Sequence, residues 1–316
     1  MSTPSVSAVS DGVQSSGIEV EHLRRSFGDV HAVRDVTFRA EPGVVTALVG
    51  PNGAGKTTLM LMLASLLQPD GGSIRIDGLD PVSDTAAVRA RLGWMPDFFG
   101  SWASLTVRVT LDMTGRLYGR SNADAAGRAR ELIDLVGLQE LADRPTRVLS
   151  RGQKQKLGLA RALVNDPKVL LLDEPASGLD PGARAELKVL LRRLADEGRT
   201  LLVSSHVLSE LEEMSDAAVF MRAGATVPAD EVARIRSTTR TWRIRALDTA
   251  ALDEALRTRE GVSANREGRL VPITDERDAA ALLADLIRSG IEVTEFAPLA
   301  GELERTFLQL ETESAR

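Results

Sequence analysis

Gly50-Pro51-Asn52-Gly53-Ala54-Gly55-Lys56-Thr57-Thr58 fits the spacing G-x-x-x-x-G-K-[ST]. Glycines at these intervals let successive backbone N–H groups turn inward around an anion, and a helix starting at the lysine adds its positive dipole end. The chemistry suited to such a loop is the holding of nucleotide phosphates. Lys56 is placed for the β- and γ-phosphates, and the Thr57 hydroxyl for a Mg²⁺ ion. Far downstream, Asp173-Glu174 closes the apolar run Val169-Leu170-Leu171-Leu172. Two acids at the end of a buried strand divide the remaining work of phosphoryl hydrolysis: Asp173 holds Mg²⁺ through water, and Glu174 polarises the attacking water as general base. A strand that merely ends in a solvated turn would show the same two acids. It is the glycine loop upstream that gives them this chemistry.

Both groups need strands to carry them. Val44-Val45-Thr46-Ala47-Leu48-Val49 runs into the loop, and Leu59 to Leu67 after it reads as an apolar helix. Val169 to Leu172 and Thr200-Leu201-Leu202-Val203 are equally apolar with little alternation, the mark of strands buried on both faces of a parallel sheet. Strand and helix patterns alternate from about Ile18 to Met221, whereas Arg89 to Asn165 reads as a mostly helical insert, with Gly137 capping the helix that contains Glu131 to Val136. Beyond Gly224 the pattern is a strand through Trp242, Ile244 and Ala246, then a helix from Ala250 to Thr258. Two short strands follow around Asn265-Arg266-Glu267-Gly268, then a helix from Asp278 to Ser289 and a strand from Ile291 to Phe296. That β-α-β-β-α-β order is the ferredoxin-like arrangement, and a last helix spans Glu302 to Leu310.

Composition narrows the class. The 316 residues are 43% hydrophobic and 27% charged with net charge −6, a balance that argues against a nucleic-acid partner. Absence of cysteine excludes disulfides and thiolate metal sites. No apolar run approaches the roughly 20 residues of a membrane-spanning helix, and Met1 to Gly17 lacks the basic start and apolar centre of a signal peptide. The expected location is therefore cytoplasmic, with any attachment to the inner face of the membrane made through a partner.

Leu149-Ser150-Arg151-Gly152-Gln153, ahead of Lys154 to Leu163, resembles the LSGGQ signature of ABC transporter ATP-binding subunits. Other family features follow in the family's order. Ser177-Gly178-Leu179-Asp180 resembles the D-loop, His206 in Ser204-Ser205-His206 the switch histidine, and Phe27 in Arg25-Ser26-Phe27-Gly28 the aromatic that stacks on adenine. The resemblance covers about Ile18 to Met221. It implies an α/β fold: a P-loop NTPase core of the ABC ATPase type with a helical signature subdomain, here followed by a small C-terminal α+β (ferredoxin-like) domain. The implied ligands are ATP and Mg²⁺. The implied ATP contacts are Phe27, the loop Gly50 to Thr58, Asp97, Ser150, Arg151, Gly152, Gln153 and Asp180. Thr57, Asp173 and Asp97 are the implied metal ligands, and Glu174 and His206 the catalytic pair. The expected layout is a disordered tail over 1–17, a nucleotide-binding domain over 18–224 with its helical subdomain at about 89–165, and an accessory domain over 225–316.

In the family, Ser150 with nearby N–H groups meets the γ-phosphate held on the opposite subunit's loop, so two complete sites need two chains. A homodimer joined through ATP is the simplest assembly, and a paralogous partner the alternative. A separately encoded membrane permease is the further implied partner. Two positions depart from the pattern. Asp97 stands where the family usually has glutamine, and either reaches Mg²⁺ through water or is a simple loop acid. Arg151 stands where the signature has glycine, and adds positive charge at the helix start. Phe98, Phe99 and Trp102 either line the groove for the permease's cytoplasmic helix or fill the core of the helical insert. The tail Glu302-Leu303-Glu304-Arg305-Thr306-Phe307-Leu308-Gln309-Leu310, together with Asp97, resembles ATPases that partner ABC-2-type drug and antibiotic exporters. The function so implied is ATP hydrolysis powering export of a small molecule. The alternatives are a soluble non-transport ABC ATPase, a module that holds ATP without hydrolysing it, and an importer ATPase.

Overall fold

The computed structural model describes residues 17–97, 100, 103–236, 240–266, 268–299 and 301–314. The chain divides into two compact units, Met1–Thr226 and Val227–Arg316.

The first unit opens with β1 (Ile18–Phe27), β2 (Val30–Ala40) and β3 (Val45–Val49), then α1 (Lys56–Leu63), β4 (Gly71–Ile76), α2 (Thr85–Arg91) and β5 (Leu92–Met95). Three helices follow: α3 (Val107–Leu117), α4 (Asn122–Leu135) and α5 (Arg151–Ala162). The chain then returns to the sheet through β6 (Val169–Asp173), α6 (Pro181–Asp196), β7 (Thr200–Ser204), α7 (Leu208–Met214), β8 (Ala217–Arg222) and β9 (Ala225–Thr226). The nine strands form one sheet in the order β4-β1-β2-β9-β8-β3-β7-β6-β5. Its central part is parallel, with β3 between β7 and β8, and β6 between β5 and β7. Every residue of β3, β6 and β7 is buried, which is why these strands are apolar without alternation. Each fully buried leucine among them stabilises the sheet by about 2 kcal/mol, and the carboxyl ends of β3, β6 and β7 are thereby held in fixed register.

Polar caps start the three helices of the insert. Thr106 accepts from Val109 N–H, Ser121 from Asp124 N–H, and Ser150 forms a reciprocal capping box with Gln153. Gly137, at φ +68°, stands directly after Val136, the C-cap of α4, and ends the helix. Two sequence expectations need correction. Leu92–Met95 falls within the stretch read as a helical insert, yet it is a sheet strand paired in parallel with β6. It is too short to declare a period, and its glycine is required: a Cβ at Gly93 would lie 2.3 Å from the carbonyl oxygen of Ala162. The helix after the glycine loop stops at Leu63, short of Leu67, because Ser65 turns to φ +57°. The expected disordered tail over 1–17 lies outside the described residues except for Gly17.

The second unit begins with α8 (Ala229–Arg236), a helix the sequence pattern did not announce. Then come β10 (Arg240–Ala246), α9 (Thr249–Leu256), β11 (Ser263–Asn265), β12 (Gly268–Ile273), α10 (Glu276–Arg288), β13 (Val293–Pro298) and α11 (Glu302–Ser314). The strands form an antiparallel sheet in the order β11-β12-β10-β13, the ferredoxin-like topology. Its core holds Ile244, Leu252, Leu256, Val271, Ile273, Leu282 and Leu286, with Trp242 and Phe296 in tilted ring contact at 4.9 Å.

Candidate functional site

β3 delivers the chain into the turn Gly50 to Gly55, and α1 begins at Lys56. Two of the loop's glycines are required by approach: a Cβ at Gly55 would stand 2.3 Å from the carbonyl oxygen of Ala32, and one at Gly50 2.5 Å from that of Met221. The loop is thus wedged between β2 and β8. Lys56 Nζ donates to the carbonyl oxygens of Gly50 (2.5 Å) and Pro51 (3.0 Å), so its ammonium rests on the loop's own rim. Burial lowers the Lys56 pKa, and the Glu174 and Asp173 carboxylates oppose that shift.

The loop opens on a cleft of about 1050 Å³, at the upper end of the range of small-molecule sites. Asn52, Gly53, Gly55, Lys56, Thr57 and Thr58 line one side, and Asp97, Asp173, Glu174 and His206 the other. Asp173 ends β6 with its carboxylate accepting the hydroxyl of buried Ser204 at the end of β7. Burial raises the Asp173 pKa against that hydrogen bond, and the nearby Asp97 carboxylate raises it further. Glu174 takes a left-handed backbone conformation, φ +54°. Its Oε2 accepts from Ser205 Oγ at 3.2 Å and lies 2.8 Å from His206 Nδ1. Burial raises the Glu174 pKa, and the His206 contact pulls it back. A raised carboxylate aimed into a cleft is the condition a general base requires.

The other residues expected at the site stand elsewhere in the single chain. Ser150, Arg151, Gly152 and Gln153 start α5, and Asp180 caps α6 by accepting from Ala183 N–H at 3.0 Å; none of them lines the cleft. The Arg151 guanidinium donates to Ser177 Oγ at 2.5 Å. Phe27 is also off the cleft wall, half exposed, with the Arg25 guanidinium carbon 4.8 Å above its ring; Asp29, Val30, His31 and Ala32 form that wall. Phe98, Phe99 and Trp102 lie outside the described residues.

Three site residues carried no role in the sequence reading. Ser204 and Ser205 precede His206 directly, and their placement at a strand end was a usable signal. Gln155 was not: its side-chain amide donates to the carbonyl oxygen of Glu174 at 3.1 Å, a partner 19 residues away.

Comparison with known proteins accords with this geometry. The model of the ABC transporter family matches residues 33–177. The daunorubicin/doxorubicin resistance ATP-binding protein DrrA of Streptomyces peucetius is 33% identical over 302 residues, covering 93% of this chain and 92% of that protein. The Nod factor export ATP-binding protein I of Paraburkholderia xenovorans is 41% identical over 200 residues, 63% of this chain and 66% of that protein. Among solved structures, a bacterial ABC transporter cassette described as dimeric superposes with a TM-score of 0.62 at 25% identity, covering 67% of this chain and 97% of that one. A glycine loop wedged at the end of β3, an acid pair at the end of β6 and likeness to DrrA over 93% of the chain therefore lead to one conclusion: the chain belongs to the ABC transporter ATP-binding family and is an ATPase.

Proposed function

We propose that this chain works as an ATP-closed homodimer on a separately encoded membrane permease and powers export of a small molecule. The observation that carries the reading is the division of the site. The glycine loop, Asp173, Glu174 and His206 share one cleft, while Ser150 to Gln153 and Asp180 do not line it. Two chains set head to tail bring each signature to the other's cleft. The export direction rests on the likeness to the Nod factor export ATP-binding protein I, and the likeness to the resistance protein DrrA spans 93% of this chain and so extends beyond the ATPase unit into the second unit. No helix of the described residues is long and apolar enough to cross a membrane, so in this reading membrane contact comes through the permease on the cytoplasmic side.

Each residue then has a task. Lys56 leaves the carbonyls of Gly50 and Pro51 for the β- and γ-phosphates, exchanging two neutral acceptors for anionic ones. The N–H groups at the start of α1 complete the cradle. Phe27, freed from Arg25, stacks on the adenine. Thr57 hydroxyl, Asp173 and Asp97 form an all-oxygen donor set of the kind Mg²⁺ prefers. The crowding of Asp97 against Asp173 fits a divalent cation there. When bound, Mg²⁺ neutralises phosphate charge. Glu174 takes a proton from the attacking water, and His206, exposed beside it, moves between Glu174 and the γ-phosphate. The Ser150 hydroxyl and the N–H groups at the start of α5, that of Gly152 among them, close over that phosphate from the partner chain, with Gln153 holding Ser150 in place.

A pull-down tests this. Tagged Glu174→Gln protein, held closed by ATP, is recovered from gently solubilised native membranes. A stoichiometric multi-spanning protein is the expected companion. Recovery of ribosomes, of DNA-associated proteins, or of the soluble dimer alone refutes the transport role and leaves the ATPase.

A further inference from the structure

The signature helix and the turn ahead of α6 are joined within this chain by contacts that centre on the residue departing from the signature pattern. Arg151 donates through Nη2 to Ser177 Oγ at 2.5 Å. Its aliphatic stem lies flat on Gly178: a Cβ built at Gly178 would stand 2.8 Å from both Cγ and Cδ of Arg151. Gly178 has φ +74°, so the position disfavours any side chain on conformational grounds as well. On the next residue, a Cβ at Gly152 would come within 2.9 Å of the carbonyl oxygen of Gly178. The same turn is tied to the hydrolytic acid. Ser177 N–H donates to the Glu174 carbonyl oxygen at 3.1 Å, and Gln155 of α5 donates to that same oxygen.

We infer that Arg151 is a positioning residue that locks the start of α5 to the Ser177–Asp180 turn, so that the two segments offered to the partner chain move as one body with the backbone of Glu174. The inference rests on the dimer proposed above and deepens it. A hydrogen bond from a charged donor to a neutral hydroxyl is stronger than one between neutral groups, and the stem's packing adds contact that glycine at this position would lack. An isolated exposed arginine touching a hydroxyl would mean little. Here three contacts join the same two segments, and two of them depend on glycine. With its guanidinium on Ser177, Arg151 is directed to its own chain's turn rather than to a phosphate across the interface. What the lock accomplishes is coupling: a shift of Glu174 and its turn when ATP enters one cleft carries the signature that serves the other.

Two measurements on the full chain test this, using Arg151→Ala, Arg151→Lys, Ser177→Ala and the double variant Arg151→Ala/Ser177→Ala. The first is hydrogen exchange at the amides of 177–180 in the isolated chain. Exchange should accelerate about equally in Arg151→Ala and Ser177→Ala, no further in the double variant, and less in Arg151→Lys. The second is ATP-driven dimerisation followed by light scattering in the Glu174→Gln background. Each alanine variant should need about fivefold more ATP, the double variant no more than either, with partial rescue by lysine. Binding of a fluorescent ATP analogue to the monomer should stay at the parent value. Unchanged exchange overturns the lock whether or not dimers form. Additive losses in dimerisation, or a cost for Arg151→Ala with none for Ser177→Ala, overturn it in favour of direct phosphate contact. If the parent Glu174→Gln chain shows no ATP-driven dimer, the functional proposal fails by itself, and the exchange data still decide the lock.

Discussion

Gly53 and Gly55 lie two residues apart in the same loop, and the structure gives them different reasons to be glycine. Both have positive φ, +82° and +97°. At Gly53 a Cβ would meet nothing within 4 Å, so Gly53→Ala costs only the left-handed backbone penalty, about 1–2 kcal/mol. If the loop escapes by relaxing and must be rebuilt on binding, ATP affinity falls by about tenfold. At Gly55 the same methyl would sit 2.3 Å from the Ala32 carbonyl oxygen, which belongs to β2 and cannot swing aside. The loop has to retreat by about an ångström, and displacement of that size in a preorganised site costs on the order of a hundredfold. Titration with a fluorescent ATP analogue, beside thermal unfolding to confirm that each variant is folded, should therefore rank wild type over Gly53→Ala over Gly55→Ala, with about tenfold at each step. A Gly55→Ala protein that binds within twofold of wild type, or a Gly53→Ala protein that binds worse than Gly55→Ala, refutes the claim that close approach to β2 shapes the loop.

Gln155→Ala should leave nucleotide affinity within twofold while lowering kcat by about tenfold, because it frees the backbone that carries Glu174; an unchanged kcat removes Gln155 from the site. Ser150→Ala should lose about 1 kcal/mol as a helix cap and the ATP-driven dimer with it. Ser150→Asp should keep the cap yet still lose the dimer, since a carboxylate repels phosphate; a dimer formed by Ser150→Asp contradicts the signature's proposed role. The Asp180 carboxyl is held below its ordinary value, chiefly by the Ala183 N–H. Its folded pKa is depressed, so its contribution to stability is present above the unfolded value, about 3.9, and is lost as pH falls through the folded one. Denaturant unfolding of Asp180→Asn should thus be less pH-dependent below about pH 4 than wild type; identical acid slopes count against the cap.

How much of this was legible in the sequence depended on the range of the interactions. β3, β6 and β7 could be read because burial on both faces writes itself as an unbroken apolar run. The glycine loop could be read because its requirement, N–H groups turned inward, is satisfied within nine consecutive residues. β5 could not, since Leu92-Gly93-Trp94-Met95 becomes a strand only through the neighbouring β6 and the close pass of the Ala162 carbonyl. α8 was missed for a related reason: Ala229 to Arg236 is too polar to stand out, and among its described side chains only Ile235 is fully buried. The acid pair was found, but not the support beneath it. Ser204 reaches Asp173 across 31 residues, and Gln155 reaches Glu174 across 19. Neither distance leaves a periodic trace.

Ser150, which does not line the cleft, has two uses for one hydroxyl. Ser150 accepts the N–H of Gln153 in its capping box at 3.2 Å, so the hydroxyl is already spent on local structure. It is spent only as an acceptor. A serine hydroxyl has two lone pairs and one hydrogen, and the capping bond leaves the hydrogen free to donate. Gln153 completes the box by accepting the Ser150 N–H through its own side-chain oxygen at 2.9 Å, so the backbone there is satisfied without the hydroxyl hydrogen. What remains is one oriented O–H donor at a helix N-terminus, on a side chain immobilised before any phosphate arrives. The cap therefore prepares the contact. It fixes the oxygen, and less side-chain entropy remains to be lost when the partner's nucleotide docks. Gln153→Leu separates the two uses, because it removes one half of the box and leaves Ser150 chemically intact. If preorganisation matters, Gln153→Leu should weaken ATP-driven dimerisation more than a loss of fold stability can explain. If the box serves the helix alone, the two losses should match.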